Sequence, residues 1–126
     1  MSDFVDIARA DQLRDGEMMK VEIDGREILL ARVSGSYYAI DDRCPHMGGD
    51  LSKGSLEGSV VTCPRHGSEF DVRSGGLVRW TDWHGVKLTV GKLFKAPRGT
   101  TSYEVRRDGD TISVDLASSR EERRAA

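Results

Sequence analysis

CPHMGGDLSKGSLEGSVVTCPRHGSEF, residues 44–70, decides the reading of this 126-residue chain. It sets Cys44 and His46 one residue apart, leaves a spacer of 16 residues, and then sets Cys63 and His66 two residues apart. In an extended or turning loop, a gap of one or two residues lets both side chains reach one small volume. Two such loops can therefore clamp one cofactor between two thiols and two imidazoles. Pro45 and Pro64, each directly after a cysteine, restrict the backbone and remove an N–H. Gly48, Gly49 and Gly67 permit tight turns beside the candidate ligands. Glycine-rich loops are costly to order by themselves, so a segment of this texture, spanning about 41–76 inside one domain, is usually either functional or disordered, and the cysteine–histidine pattern decides for function.

On either side the pattern is that of strands. Met19, Val21, Ile23 and then Ile28 and Leu30 alternate, broken by Asp24-Gly25 and Ser34-Gly35-Ser36, which predicts a meander of short antiparallel strands from Phe4 to Ile40. Alternation returns briefly at 60–62 and 69–72 inside the loop-rich stretch. Tyr103 and Val105, then Ile112, Val114 and Leu116, alternate around Arg107-Asp108-Gly109-Asp110 and predict a hairpin. The one helical hint, Asp11 to Glu17, amounts to a single turn because Gly16 interrupts it. The fold class is all-β. The terminal SSREERRAA is charged and nearly without bulky apolar side chains, and predicts a frayed tail or a short solvated helix.

Length and composition allow one domain with one core and no internal repeat. Hydrophobic residues make up only 37% of the chain, and an inorganic clip joining distant loops would offset part of the small core. Nineteen basic and 21 acidic side chains give a net charge of −2 with no long run of either sign, which argues against nucleic acid or anionic membrane as the partner. The N-terminal MSDFVDIARADQLRDGE carries acids where a signal peptide needs a basic flank and an apolar stretch, and the most apolar short stretch, 28–33, contains Arg32. The expectation is a cytoplasmic protein without a membrane anchor. In that reducing compartment a cysteine pair with suitable neighbours is more often metal-binding than disulfide-bonded.

The pattern Cys-x-His, spacer, Cys-x-x-His resembles the Rieske iron–sulfur family, and the likeness extends to AIDDRCPH before the first loop, to Gly54 and Gly58 between, and to HGSEFDVRSGG after the second. The resemblance implies a Rieske fold: antiparallel sheets in a small barrel-like sandwich, with a cluster-binding subdomain at about 41–79 inserted in a basal β domain, residues 1–118 in all, and a charged tail at 119–126. It implies one 2Fe-2S cluster, with Cys44 and Cys63 on one iron and His46 and His66 on the other. Ser68, Phe70, Pro45, Pro64 and Gly67 are the residues expected around the cluster. High-potential members carry a serine and a tyrosine after the second histidine and a further cysteine pair nearby. Here Ser68 matches, Phe70 stands in place of the tyrosine, and no cysteines remain. Both departures resemble the soluble ferredoxins of bacterial oxygenases and imply a potential in the lower part of the Rieske range.

A structural zinc site is the strongest competing reading of two cysteines and two histidines, but zinc fingers usually segregate the two residue types, whereas each loop here mixes them. A Cys/His nucleophile leaves one cysteine and one histidine unexplained. Beyond His46 and His66 only His84 remains, a surface residue on this reading. A Rieske oxygenase needs a second iron held by two histidines and a carboxylate, so the chain is not itself the oxygenase. No GxGxxG follows a strand, so it is not the nicotinamide- or flavin-binding reductase. The resemblance thus implies a monomeric electron carrier with no catalytic residues, transiently contacting a flavin-dependent reductase and the terminal oxygenase of a ring-hydroxylating dioxygenase. The alternative is a small Rieske-like subunit of a nitrite reductase or another multi-subunit oxidoreductase. Residues 80–101, with Trp80, Trp83 and punctuating Gly85 and Gly91, read as an inserted hairpin.

Overall fold

A computed structural model describes residues 4–44, 49–64, 67–79 and 99–121. The chain enters through β1 (Phe4–Arg9) and a 3-10 turn (Ala10–Gln12), then runs through β2 (Met18–Ile23), β3 (Arg26–Val33) and β4 (Ser36–Asp41). Two-residue turns join the last three. Asp24 and Gly25 have φ of 49° and 77°, and Ser34 and Gly35 have φ of 50° and 82°. Positive φ at both central positions gives the turn whose twist matches that of paired strands, which is why Asp-Gly and Ser-Gly stand there. The meander read from the alternation is therefore present, with Met18 opposite Ala31 and Ile28 opposite Asp41.

A second, smaller sheet follows in the chain: β5 (Ser55–Glu57), β6 (Val60–Thr62), β7 (Glu69–Asp71) and β8 (Leu77–Arg79), hydrogen-bonded in that order. The chain then returns to the first sheet as the hairpin of β9 (Thr101–Asp108) and β10 (Thr111–Glu121). The first sheet has six strands in the order β1-β10-β9-β4-β3-β2, antiparallel throughout. The two sheets are stitched at Gly75, whose carbonyl accepts the Thr100 N–H at 2.8 Å. A Cβ at Gly75 would lie 2.4 Å from the Thr100 oxygen. The all-β class predicted from the sequence is the architecture observed.

β3 explains where the core sits. Ile28, Leu29, Leu30 and Ala31 are all fully buried, because both faces of this strand are covered. Successive side chains point to opposite faces. Leu29 and Ala31 join Ile40 of β4, Leu51, and Val61, Phe70 and Val72 from the second sheet. Leu30 packs with Leu13, Tyr37 and Ile112, and Ile28 with Ala39, Tyr103 and Val114. Each such fully buried aliphatic or aromatic side chain contributes about 1.5–3 kcal/mol.

At 118–121, the start of the stretch whose sequence predicts a frayed tail or a short solvated helix, β10 instead runs on to Glu121, with Arg120 opposite Ser102 and Glu121 opposite Thr101 after a register shift beyond Asp115; residues 122–126 lie outside the described residues. A ladder needs only backbone partners, which β9 supplies, so the polarity of these side chains does not stop the strand. The expected hairpin at 80–101, His84, Trp80 and Trp83 lie outside the described residues, apart from the segment's end at 99–101.

Candidate metal centre

Each cysteine stands at the base of a loop that its own N–H helps to close. Beyond β4, the Leu51 N–H donates to the Asp42 carbonyl at 2.7 Å, Arg43 pairs with Asp50, and the Cys44 N–H donates to the Gly49 carbonyl at 2.8 Å. The base of the first loop, residues 42–44 against 49–51, is therefore a narrow ribbon. Between β6 and β7, Thr62 pairs with Glu69, the Cys63 N–H donates to the Ser68 carbonyl at 2.7 Å, and the Gly67 N–H donates to the Cys63 carbonyl at 3.1 Å. Gly67 has a φ of 74°, where a side chain would be strained.

The two loops place both cysteines in one apolar cluster. Cys44 is 1% exposed and Cys63 2%, and both belong to the apolar cluster of Leu29, Ala31, Ile40, Leu51, Val61, Phe70 and Val72. Neither forms a disulfide. Ser68 and Phe70, expected beside the centre, are fully buried, and Pro64 is exposed. Pro45, His46 and His66 lie outside the described residues. Among the described residues, no three cysteine, histidine, aspartate or glutamate side chains gather to hold a metal.

Charged groups brace the first loop from outside. Asp42 is a fully buried carboxylate whose Oδ1 accepts the Ser52 N–H at 2.6 Å and whose Oδ2 accepts the Ser52 hydroxyl at 2.9 Å. Burial pushes its carboxyl above the ordinary value, and the two bonds from Ser52 oppose that. At Asp50 burial also pushes upward, but the Lys20 and Lys53 ammonium groups, 3.5 and 3.4 Å away, outweigh it and hold the carboxyl below its usual value. Lys20 also meets Glu27 at 2.8 Å, the hydrogen bond that chiefly raises its pKa. The Tyr103 hydroxyl donates to Asp41 Oδ1 at 2.5 Å, and burial followed by this bond pushes it up to about 12. Sequence reasoning missed Asp42 and Ser52. The available signal was an acid on the second residue before the first cysteine with a serine ten residues further on.

Two buried thiols from separate loops, sharing one apolar cluster and not joined in a disulfide, are the donor chemistry an iron–sulfur centre takes from a protein. Residues 3–93 match the Rieske 2Fe-2S domain family. The chain belongs to the Rieske family. Its cofactor is one Rieske 2Fe-2S cluster. This Rieske chain is 39% identical over 72 residues to the ferredoxin component of the naphthalene 1,2-dioxygenase/salicylate 5-hydroxylase systems of Ralstonia sp, covering 57% of the chain and 69% of that relative. It is 28% identical over 116 residues to the ferredoxin component of the naphthalene 1,2-dioxygenase system of Pseudomonas aeruginosa, covering 90% and 96%. The ferredoxin of carbazole 1,9a-dioxygenase from Nocardioides aromaticivorans IC177 has the same fold, with a TM-score of 0.73 and 29% identity over 89% of this chain and 96% of that one. Among the described residues, no helix is long and apolar enough to cross a membrane.

Proposed function

We propose that this chain is a one-electron carrier of the ferredoxin type, receiving electrons from a flavin-dependent reductase and delivering them to the terminal oxygenase of a ring-hydroxylating dioxygenase system. The observation that carries the reading is that Cys44 and Cys63, both buried thiols at the bases of two loops, belong to a single apolar cluster. Cys44 and Cys63 are the proposed ligands of one iron and His46 and His66 those of the other, so that each loop gives one residue to each metal. The unit from about 41 to 79 is the proposed cluster-binding part. When bound, the cluster supplies reversible storage of one electron. The chain's own residues hold it and keep water from the thiolates: Leu51, Val61 and Phe70 are fully buried in the cluster that contains both sulfurs.

No catalytic residue is assigned, since the chemistry belongs to the partner that accepts the electron. Relatives named as ferredoxin components of dioxygenase systems support this division of labour. The proposed compartment is the cytoplasm, where the two thiols stay reduced and available as ligands. A spectroelectrochemical titration of the purified protein tests the function. The reading requires reversible uptake of about one electron per chain at a potential inside the Rieske range of about −150 to +300 mV. Uptake of two electrons, or of none, would rule it out.

A further inference from the structure

The chain between the two cysteine loops begins with a short arm, residues 50–54, ahead of β5 and β6, and the arm touches the surroundings of both loops. At one end it is clamped to the strand leading into the first loop. Ser52 donates its N–H and its hydroxyl to the two carboxylate oxygens of buried Asp42, and Leu51, fully buried, donates its N–H to the Asp42 carbonyl. At the other end the arm lies against the second loop. A Cβ added to Gly54 would stand 1.8 Å from the carbonyl oxygen of Thr62, the residue before Cys63, and 3.2 Å from the Pro64 ring, the residue after it. Gly54 has a φ of −86°, outside the left-handed range, so it is space that selects glycine here rather than backbone conformation.

The magnitudes decide what this contact controls. Real Cβ atoms stay at least 3.0 Å from such an oxygen, so any side chain at Gly54 requires the arm and the second loop to part by about 1.2 Å. Metal–ligand distances tolerate errors of only about 0.2 Å. Gly54 takes no part in the pairing of the six-stranded sheet, so the same displacement leaves that sheet's ladders intact.

We propose that Gly54 and the Asp42–Ser52 clamp are positioning residues: together they form a spacer that sets the separation of the Cys44 and Cys63 loops and so governs how tightly the iron–sulfur centre is held. The proposal rests on the reading of these two cysteines as ligands.

The test compares the loaded wild-type protein with Gly54→Ala, Asp42→Ala and Asp42→Asn. Iron and labile sulfide per chain, loss of the visible spectrum in the presence of a chelator, and far-ultraviolet circular dichroism are measured on each. Gly54→Ala should keep the β-sheet spectrum and shed iron at least about tenfold faster than wild type. Asp42→Ala should also shed it about tenfold faster, the scale expected for losing hydrogen bonds to a charged acceptor. Asp42→Asn, which keeps an oxygen for the Ser52 N–H, should restore most of the retention. A loaded wild type whose variants all release iron at its own rate overturns the spacer alone. If Gly54→Ala yields no folded protein, the aspartate pair decides, and equal rates for Asp42→Ala and Asp42→Asn overturn the proposal. A wild type that holds no iron and sulfide overturns the ligand reading, and the spacer with it.

Discussion

Phe70→Ala removes the side chain that ties the second sheet to the cysteines. Phe70 is fully buried, sits opposite Val61 on the β6–β7 ladder, and shares its apolar cluster with Cys44, Cys63 and Leu29. Losing the transfer free energy of a buried aromatic ring costs about 1.5–3 kcal/mol. The vacated space adds to this, because the surroundings are poorly placed to collapse into it. Val61 and Phe70 are held by ladder hydrogen bonds, and the Val72 N–H is fixed to the Ser59 carbonyl at 2.8 Å. The total belongs in the range of about 3–5 kcal/mol found for such truncations. The assay is urea unfolding of the loaded protein, followed in parallel by far-ultraviolet circular dichroism and by visible absorbance of the centre. Both transitions should move together to lower urea with an unchanged slope, since the cluster that contains Phe70 also contains both thiols and the buried Leu29 and Ala31 of β3. Val78→Ala is the control: Val78 is 53% exposed, and its loss should change stability by less than about 0.5 kcal/mol. A loss below about 1.5 kcal/mol for Phe70→Ala, or a visible transition that stays put while the dichroism moves, would refute the shared core.

Phe70→Tyr should raise the reduction potential if the new hydroxyl reaches a sulfur: about 1 kcal/mol of preference for the more negative reduced state amounts to about 40 mV for one electron. Overpacking a fully buried site should cost about 1–3 kcal/mol at the same time, and a fall in potential on voltammetry would show the hydroxyl pointing elsewhere. His46→Cys, or the same change at His66, should lower the potential by hundreds of millivolts toward the all-cysteine value near about −400 mV, provided a cluster still assembles. An unchanged potential contradicts the histidine assignment. Tyr103, raised from 10.0 to about 12, keeps its proton longer in the folded chain than in the unfolded one. Its contribution to stability is therefore complete below pH 10 and is lost as the pH rises through about 12. The ultraviolet difference between wild type and Tyr103→Phe should show tyrosinate forming near pH 12, and a midpoint near 10 would mean that the hydroxyl is neither buried nor bonded to Asp41 in solution.

What the sequence made legible was local. Asp24-Gly25, Ser34-Gly35 and Gly109-Asp110 mark turns because the backbone conformation they adopt is written in two adjacent residues. The cysteine–histidine pattern was legible for the same reason, since a gap of one or two residues constrains chemistry directly. Features that depend on distant partners were not. Nothing near Asp42 says that its carboxylate will be buried under Ser52, and Gly54 looks like any loop glycine until Thr62 is brought against it. The extension of β10 to Glu121 depends on β9 offering a backbone edge, which the charged side chains conceal. Burial of β3 on both faces was hidden in the same way: only the fold shows that Leu29 and Ala31 share a cluster with the cysteines while Ile28 and Leu30 pack on the other face.

The most direct test of the account is a low-temperature electron paramagnetic resonance spectrum of the dithionite-reduced protein, with iron, sulfide and zinc determined on the same sample. The account predicts ~2 iron and ~2 labile sulfide per chain, and a rhombic signal whose average g-value lies below that of all-cysteine clusters, as mixed cysteine and histidine ligation requires. A sample with no signal that contains zinc instead would contradict it.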